Sequence, residues 1–226
     1  MARDFGSADE VVLNELYVSV QGEGTRAGQP CVFIRLTGCK LRCSWCDTSY
    51  AFDEGARRPV SALVDEVLES GPRLVLLTGG DPLEQPGCLP LARELCDRGC
   101  EVLIETGGHE DTSVLDPRVI RILDVKCPAS GMQSRNRLEN LALLRAADEV
   151  KFVVADEDDL EFARGIVRDH GLAERGCALL FSPVHGVLDP ARVSDWLVTH
   201  AQALGPQARL NLQLHKLIWP RAARGV

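Results

Sequence analysis

Three cysteines, Cys39, Cys43 and Cys46, fall within eight residues in "GCKLRCSWCDT" (38–48). Thiolates this close together are ligands for a thiophilic metal centre. A structural zinc ion takes four closed ligands, commonly as two Cys-x-x-Cys pairs well separated in the chain. Here there is one group, with no second pair and no pair of histidines beside it. A four-iron, four-sulfur cluster normally takes one cysteine per iron, so three cysteines leave one iron open to the amino and carboxylate groups of another molecule. At this point zinc and simple free thiols remain as alternatives.

Among the remaining cysteines Cys127 stays open as a ligand, and the others add no fourth ligand by pattern. The total is nine, an odd number, and a chain of 226 residues has enough length for a core without disulfides. Cys96 and Cys100, in "ELCDRGC", mimic a ligand pair but close a helical pattern with no third cysteine nearby. Cys31, Cys88 and Cys177 read as small buried hydrophobes. One other residue carries chemistry by position: Arg35 interrupts the apolar run "CVFIRL", where a guanidinium is costly unless it is paired. It is read as a clamp for a carboxylate, with a solvated edge as the plain alternative.

These residues need a frame, and the chain supplies one. Short, β-branched-rich runs at 31–36, 73–80, 101–108, 120–128, 149–155, 177–184 and 208–215 end in Gly, Pro or polar residues and read as buried strands. Between most of them lie segments of helical spacing: "VSALVDEVLES", "GCLPLARELCDRG", "LENLALLRAA", "DLEFARGIVRDHG" and "PARVSDWLVTHAQALG". Alternation of this kind predicts parallel strands with helical crossovers, in an open sheet or a complete or partial barrel. Reactive groups then belong at the carboxyl ends of the strands, where "TGGDP", "ETGGH", "VKCPAS", "SPVHG" and "LHK" stand. No repeat or long linker divides the chain, so residues 1–226 are expected to form a single α/β domain.

Composition narrows the partners. With 45% hydrophobic and 26% charged residues, the chain has the balance of a globular protein. Lys and Arg number 25 against 33 Asp and Glu, a formal charge of −8 that repels a nucleic-acid backbone. No run approaches the roughly 18 apolar residues needed to span a bilayer, and "MARDFGSADEVV" lacks the marks of a signal peptide. A cytoplasmic protein that engages neither membrane nor nucleic acid is expected.

Cys39-x-x-x-Cys43-x-x-Cys46 resembles the radical S-adenosylmethionine enzymes. "VSVQGEGTRAGQPCVFIRLTGCKLRCSWCDTSY", "LTGGDPLEQ", "ETGG", "DVKCPASG", "VKFVV", "FSPVHG" and "LQLHKLIW" are similar, in order and over nearly the whole length, to the 7-carboxy-7-deazaguanine synthase family. The resemblance implies a partial, modified TIM-type barrel with the cluster on the loop after the first barrel strand. It also implies a lyase reaction in queuosine and 7-deazapurine biosynthesis. In that reaction 6-carboxy-5,6,7,8-tetrahydropterin contracts to 7-carboxy-7-deazaguanine and ammonia is released. A 4Fe–4S cluster on the three cysteines reduces S-adenosylmethionine, and the resulting radical takes hydrogen from the substrate. The cofactors carry this chemistry, so no protein residue is marked as catalytic.

By the same resemblance, Val20, Gln21, Gly22 and Glu23 line the pterin site, joined by Arg35, Thr78 and His215. S-adenosylmethionine falls to Trp45, Cys46, Asp47, Gly80 and Asp81. It also falls to Lys126, Cys127 and Pro128, and to Ser182, Pro183, Val184 and His185. Thr48 is implied as a magnesium ligand. Asp81 departs from the family, where Glu is usual. Lys216 is expected with His215 at the end of the last strand, near the substrate mouth. An electron donor, flavodoxin or ferredoxin, and a homodimer are implied. Two rivals are an activase that makes a glycyl radical on a partner protein and a non-catalytic iron–sulfur or zinc module. "QGEG" together with Arg35 suits a small acidic heterocycle rather than the activase's polypeptide, and anaerobic purification separates the metal-module reading, which a colourless, zinc-loaded protein would favour.

Overall fold

A computed structural model describes residues 5–221 and 224–226. Nine strands form one sheet: β1 (Glu10–Val20), β2 (Pro30–Leu36), β3 (Ala56–Pro59), β4 (Leu74–Gly79), β5 (Glu101–Thr106), β6 (Ile120–Val125), β7 (Glu149–Val154), β8 (Ala178–Pro183) and β9 (Ala208–Leu210). Their order is β3-β1-β2-β4-β5-β6-β7-β8-β9. From β2 to β9 every pairing is parallel, as the strand–helix alternation predicts. The run 10–20 was not anticipated as a strand; it pairs antiparallel with both β2 and β3 and bulges between Leu13 and Glu15.

The helices cover one face. In α1 (Val60–Glu69) the buried residues are Val60, Leu63, Val64 and Val67, and in α2 (Cys88–Asp97) they are Cys88, Leu91, Ala92 and Leu95. That is one stripe of a 3.6-residue period, packed on Val32, Ile34, Leu36, Val75 and Leu77. A second core joins β6–β8 to α3 (Glu157–Asp169) and α4 (Pro190–Leu204). Asp156 caps α3 by accepting from Asp159 N at 2.9 Å, and Asp189 caps α4 by accepting from Ala191 N at 2.9 Å.

The other face decides function. Strand side chains alternate, and the inward set begins with an apolar layer: Cys31, Phe33, Leu74, Leu76, Leu103, Ile120 and Ile122. Two residues further on, the same parity gives Arg35, Thr78, Glu105 and Asp124, with Lys151 paired to Asp124 across β6 and β7. The concave face is therefore an apolar base beneath a polar layer at the carboxyl ends.

Two expected elements differ. "LENLALLRAA" is not an α-helix but a 3-10 stretch, Leu138–Leu143. Its Asn140 is buried, accepting from Thr112 N and donating to Gly108 O and Glu110 O, so local polar contacts compete with a regular helix. The last strand stops at Leu210, and His215 and Lys216 lie instead in a short helix, α5 (Leu214–Ile218). Asn211 N still donates to Phe181 O at 2.9 Å, while its side chain turns to Ser182 Oγ at 2.7 Å.

Candidate active site

The polar layer opens into a cavity of about 430 Å3. The loop after β2 forms one wall, and Cys39, Cys43 and Cys46 all face it. Several neighbours fix this loop. Ser44 N donates to Ser130 O at 3.1 Å, Lys40 N to Glu84 Oε1 at 2.6 Å, and Gly38 N to Ala51 O at 2.8 Å. The turn after β4 closes on its base: Asp81 N donates to Gly38 O at 2.7 Å, and a Cβ on Gly80 would lie 1.9 Å from that oxygen. Glycine is required there by backbone approach.

The donor set fits an iron–sulfur cluster. Burial pushes the Cys39 thiol up to about 12 and raises Cys43 as well. Without a metal, thiols so placed stay protonated; a cationic centre is what would draw them to thiolates. Cys127 supplies no fourth sulfur to the cavity. It is 1% exposed, within the second core, and its thiol points to Val125 O at 3.8 Å.

The sequence-derived site residues mostly converge. Val20, Gly22, Glu23, Arg35, Thr78 and His215 line the cavity, as do Trp45, Asp47, Thr48, Gly80, Asp81, Lys126, Val184 and His185. Gln21, Cys127, Pro128, Ser182 and Pro183 do not. Gln21 is buried and its Oε1 accepts from Gly22 N at 2.9 Å, shaping the loop from behind. Ser182 is buried against Asn211, and Pro128 faces outward.

Glu23 arrives from an unexpected direction. Because Val20 pairs with Pro30, the loop 21–29 joins the amino end of β2, opposite the cysteine loop. It crosses to the far strands: Gly24 N donates to Asn211 Oδ1 at 2.8 Å, and Thr25 N to Glu149 Oε1 at 3.1 Å. Glu23 accepts from Gln213 Nε2 at 2.8 Å, Asn211 Nδ2 at 3.2 Å and Lys151 Nζ at 3.2 Å. Leu214 N donates to Gly22 O at 2.9 Å, which seats α5 and brings His215 against the Gly22 backbone. Burial lowers the His215 pKa against the pull of Glu23, so its ring is neutral near pH 7.

Arg35 is paired. Its Nε donates to Glu15 Oε2 at 2.8 Å and its Nη2 to Tyr17 Oη at 3.0 Å. That leaves Nη1 and one Nη2 hydrogen for a ligand. Asp81 borders the cavity, but its carboxylate turns inward, accepting from Thr106 Oγ1 at 2.8 Å, Gly107 N at 2.8 Å and Leu83 N at 3.1 Å. Burial raises its pKa against the nearby His109. Asp47 pairs with Lys216 at 2.7 Å, tying the cysteine loop to α5. Burial works to raise the Asp47 carboxyl, but Lys216 holds it below the usual range.

Sequence reasoning missed three charged side chains on this wall, Glu105, Asp124 and Lys151. Each interrupts an apolar strand, which is the signal that singled out Arg35.

The Radical SAM superfamily model matches residues 33–126. The curated 7-carboxy-7-deazaguanine synthase of Koribacter versatilis is 39% identical, covering 95% of this chain and 99% of that one. That of Chlorobaculum tepidum is also 39% identical, covering 95% and 96%. Among solved structures, QueE from Escherichia coli superposes with a TM-score of 0.71 at 22% identity, over 91% of this chain and 95% of that one. SuiB from Streptococcus suis bound to S-adenosylmethionine gives 0.56 at 11% identity, over 77% and 48%. At those identities the two structures speak for the fold, a partial TIM-type barrel.

Proposed function

The chain belongs to the 7-carboxy-7-deazaguanine synthase family of the radical S-adenosylmethionine superfamily, and on that premise we propose how its residues divide the work. The reaction is the ring contraction of 6-carboxy-5,6,7,8-tetrahydropterin to 7-carboxy-7-deazaguanine with release of ammonia, in queuosine biosynthesis. When bound, a 4Fe–4S cluster and S-adenosylmethionine supply the electron and the radical that takes a substrate hydrogen. One observation carries the assignment: the three-cysteine loop opens on the same cavity as Glu23 and Arg35, in a chain alike to the curated synthases over its length.

Cys39, Cys43 and Cys46 hold the cluster. Trp45, Asp47, Lys126, Val184 and His185 form the S-adenosylmethionine side of the cavity, while Gly80 and Asp81 contribute through the turn they close on Gly38. Across from them Arg35 receives the substrate carboxylate through its free Nη hydrogens. Glu23, with Val20 and Gly22, accepts the pterin amino and ring N–H groups. Thr78 sits beside it, its hydroxyl donating to Glu105 at 3.1 Å. Thr48, next to Cys46, offers its hydroxyl to magnesium, a hard ion suited to the substrate's oxygens. His215, packed against the Gly22 backbone, holds the substrate edge.

We place the protein in the cytoplasm as one domain over residues 1–226, reduced by a flavodoxin or ferredoxin and acting as a homodimer. Among the described residues no helix is long and apolar enough to cross a membrane, and Leu217 and Ile218 on α5 are more than half exposed, which suits a partner surface. Anaerobic protein with iron restored, given the tetrahydropterin, S-adenosylmethionine, magnesium and dithionite, should form the deazapurine and ammonia. Iron-loaded protein that forms neither would refute the substrate assignment.

A further inference from the structure

Glu23, Glu105 and Asp124 come from three different elements and point at a single ammonium. Lys151 Nζ bonds to Glu105, lies 3.2 Å from Glu23 Oε2 and 3.8 Å from Asp124 Oδ2, and its side chain is only 6% exposed. Asp124 has a second cation, Lys126 at 2.9 Å. Glu23 and Glu105 do not: among the described residues Lys151 is the one cation within 4.0 Å of either. Their other partners are neutral, the amides of Asn211 and Gln213 for Glu23 and the Thr78 hydroxyl for Glu105.

We propose that Lys151 is a positioning residue for the ring-contraction reaction: it is the shared counter-ion that holds Glu23 and Glu105 in place as hydrogen-bond acceptors on the substrate wall. The proposal rests on the reading that this wall meets the pterin. An ionised carboxylate is acceptor-only and suits a row of N–H donors, whereas a protonated one presents a hydrogen to them. Two carboxylates facing one cavity resist ionising together unless a cation lies between them. Lys151 itself is no proton donor near neutral pH. Burial acts to lower its pKa, but the three carboxylates raise it well above the usual lysine value. The other charged or titratable side chains lining this cavity are Lys126, Arg35 paired with Glu15 and Tyr17, Asp47 paired with Lys216, Asp81, His185, His215 and the three cysteines.

Anaerobic titration of 6-carboxy-5,6,7,8-tetrahydropterin into iron-loaded protein tests this without turnover. Lys151→Met should bind about tenfold or more weakly than wild type at pH 6, with the deficit shrinking at pH 8.5 as Glu105, deprived of its cation, ionises. Lys151→Arg, which keeps the cation, should stay within about threefold of wild type at both values. Iron content should be unchanged in both. A Lys151→Met deficit that is absent or independent of pH overturns the proposal, as does an iron-loaded Lys151→Arg that binds no better than Lys151→Met. If Lys151→Met does not fold, Lys151→Gln takes its place, and an iron-loaded Lys151→Arg that binds about tenfold or more weakly than wild type at pH 6 overturns the proposal by itself. Wild-type protein that binds no pterin would overturn the substrate reading itself.

Discussion

Arg35 shows how one side chain is made selective. With Nε on Glu15 and Nη2 on Tyr17, the guanidinium plane is fixed before any ligand arrives. A lysine keeps the charge but cannot hold two anchors and still face the cavity. Arg35→Lys should therefore raise KM for the pterin about tenfold or more, with a smaller change in kcat and unchanged iron, by steady-state kinetics. Cys43→Ser should lose cluster iron, whereas Cys127→Ser, buried in the core, should keep it; iron analysis of the reconstituted proteins separates the two. Glu105 adds a pH dependence. Burial acts to raise its pKa, but Lys151 wins and holds it below the usual range. Its contribution to stability is thus present above the unfolded value near ~4.3 and lost as pH falls through the folded one. Thermal melts of wild type should drop more steeply below about pH 4.3 than those of Glu105→Gln. At this scale the cysteines and Arg35 were legible because their types are costly where they stand. Lys151, Glu105 and Asp124 obey the same logic, yet their partners lie far apart in sequence and only the inward parity of the strands unites them.

Among the elements, the helices and parallel strands follow from periodicity, and the deviations have local causes. Asn140 meets backbone groups with its side chain where a regular helix was expected, and that competition is not visible in a hydropathy pattern. The loop 21–29 also hid its direction, since a glycine-rich turn before a strand does not reveal which end of a sheet it spans. Gly24 makes that crossing feasible. Its φ is +73° and an added Cβ would lie 2.4 Å from Glu149 Oε2. Gly24→Ala should displace the loop, weakening pterin binding at least about tenfold while iron binding persists. Gly80→Ala is harsher, because the obstacle is the Gly38 carbonyl of the backbone itself. Loss of soluble, iron-binding protein is the expected outcome, read by expression and iron content.

For the molecule as a whole, two outer cores lock helices to the sheet and leave the concave face to the reaction. That division was readable from the alternation of strands and helices. Closure was not: the sheet has β3 and β9 as its two edges, and an open barrel and a closed one share the same periodicities. Leu217 and Ile218 should matter only for assembly. On the homodimer proposed above, Leu217→Glu is expected to shift sedimentation toward the monomer, with iron content unchanged.

The loop from β1 to β2 reaches the cavity from the amino side of the sheet, while the cysteines reach it from the carboxyl side. The wall proposed to hold the pterin is thus assembled from both directions, with Gly22 and Glu23 from that loop and Arg35 and Thr78 from the strands. A change within residues 21 to 29 would therefore reshape one side of that wall and leave Arg35, Thr78 and the three cysteines on their own elements.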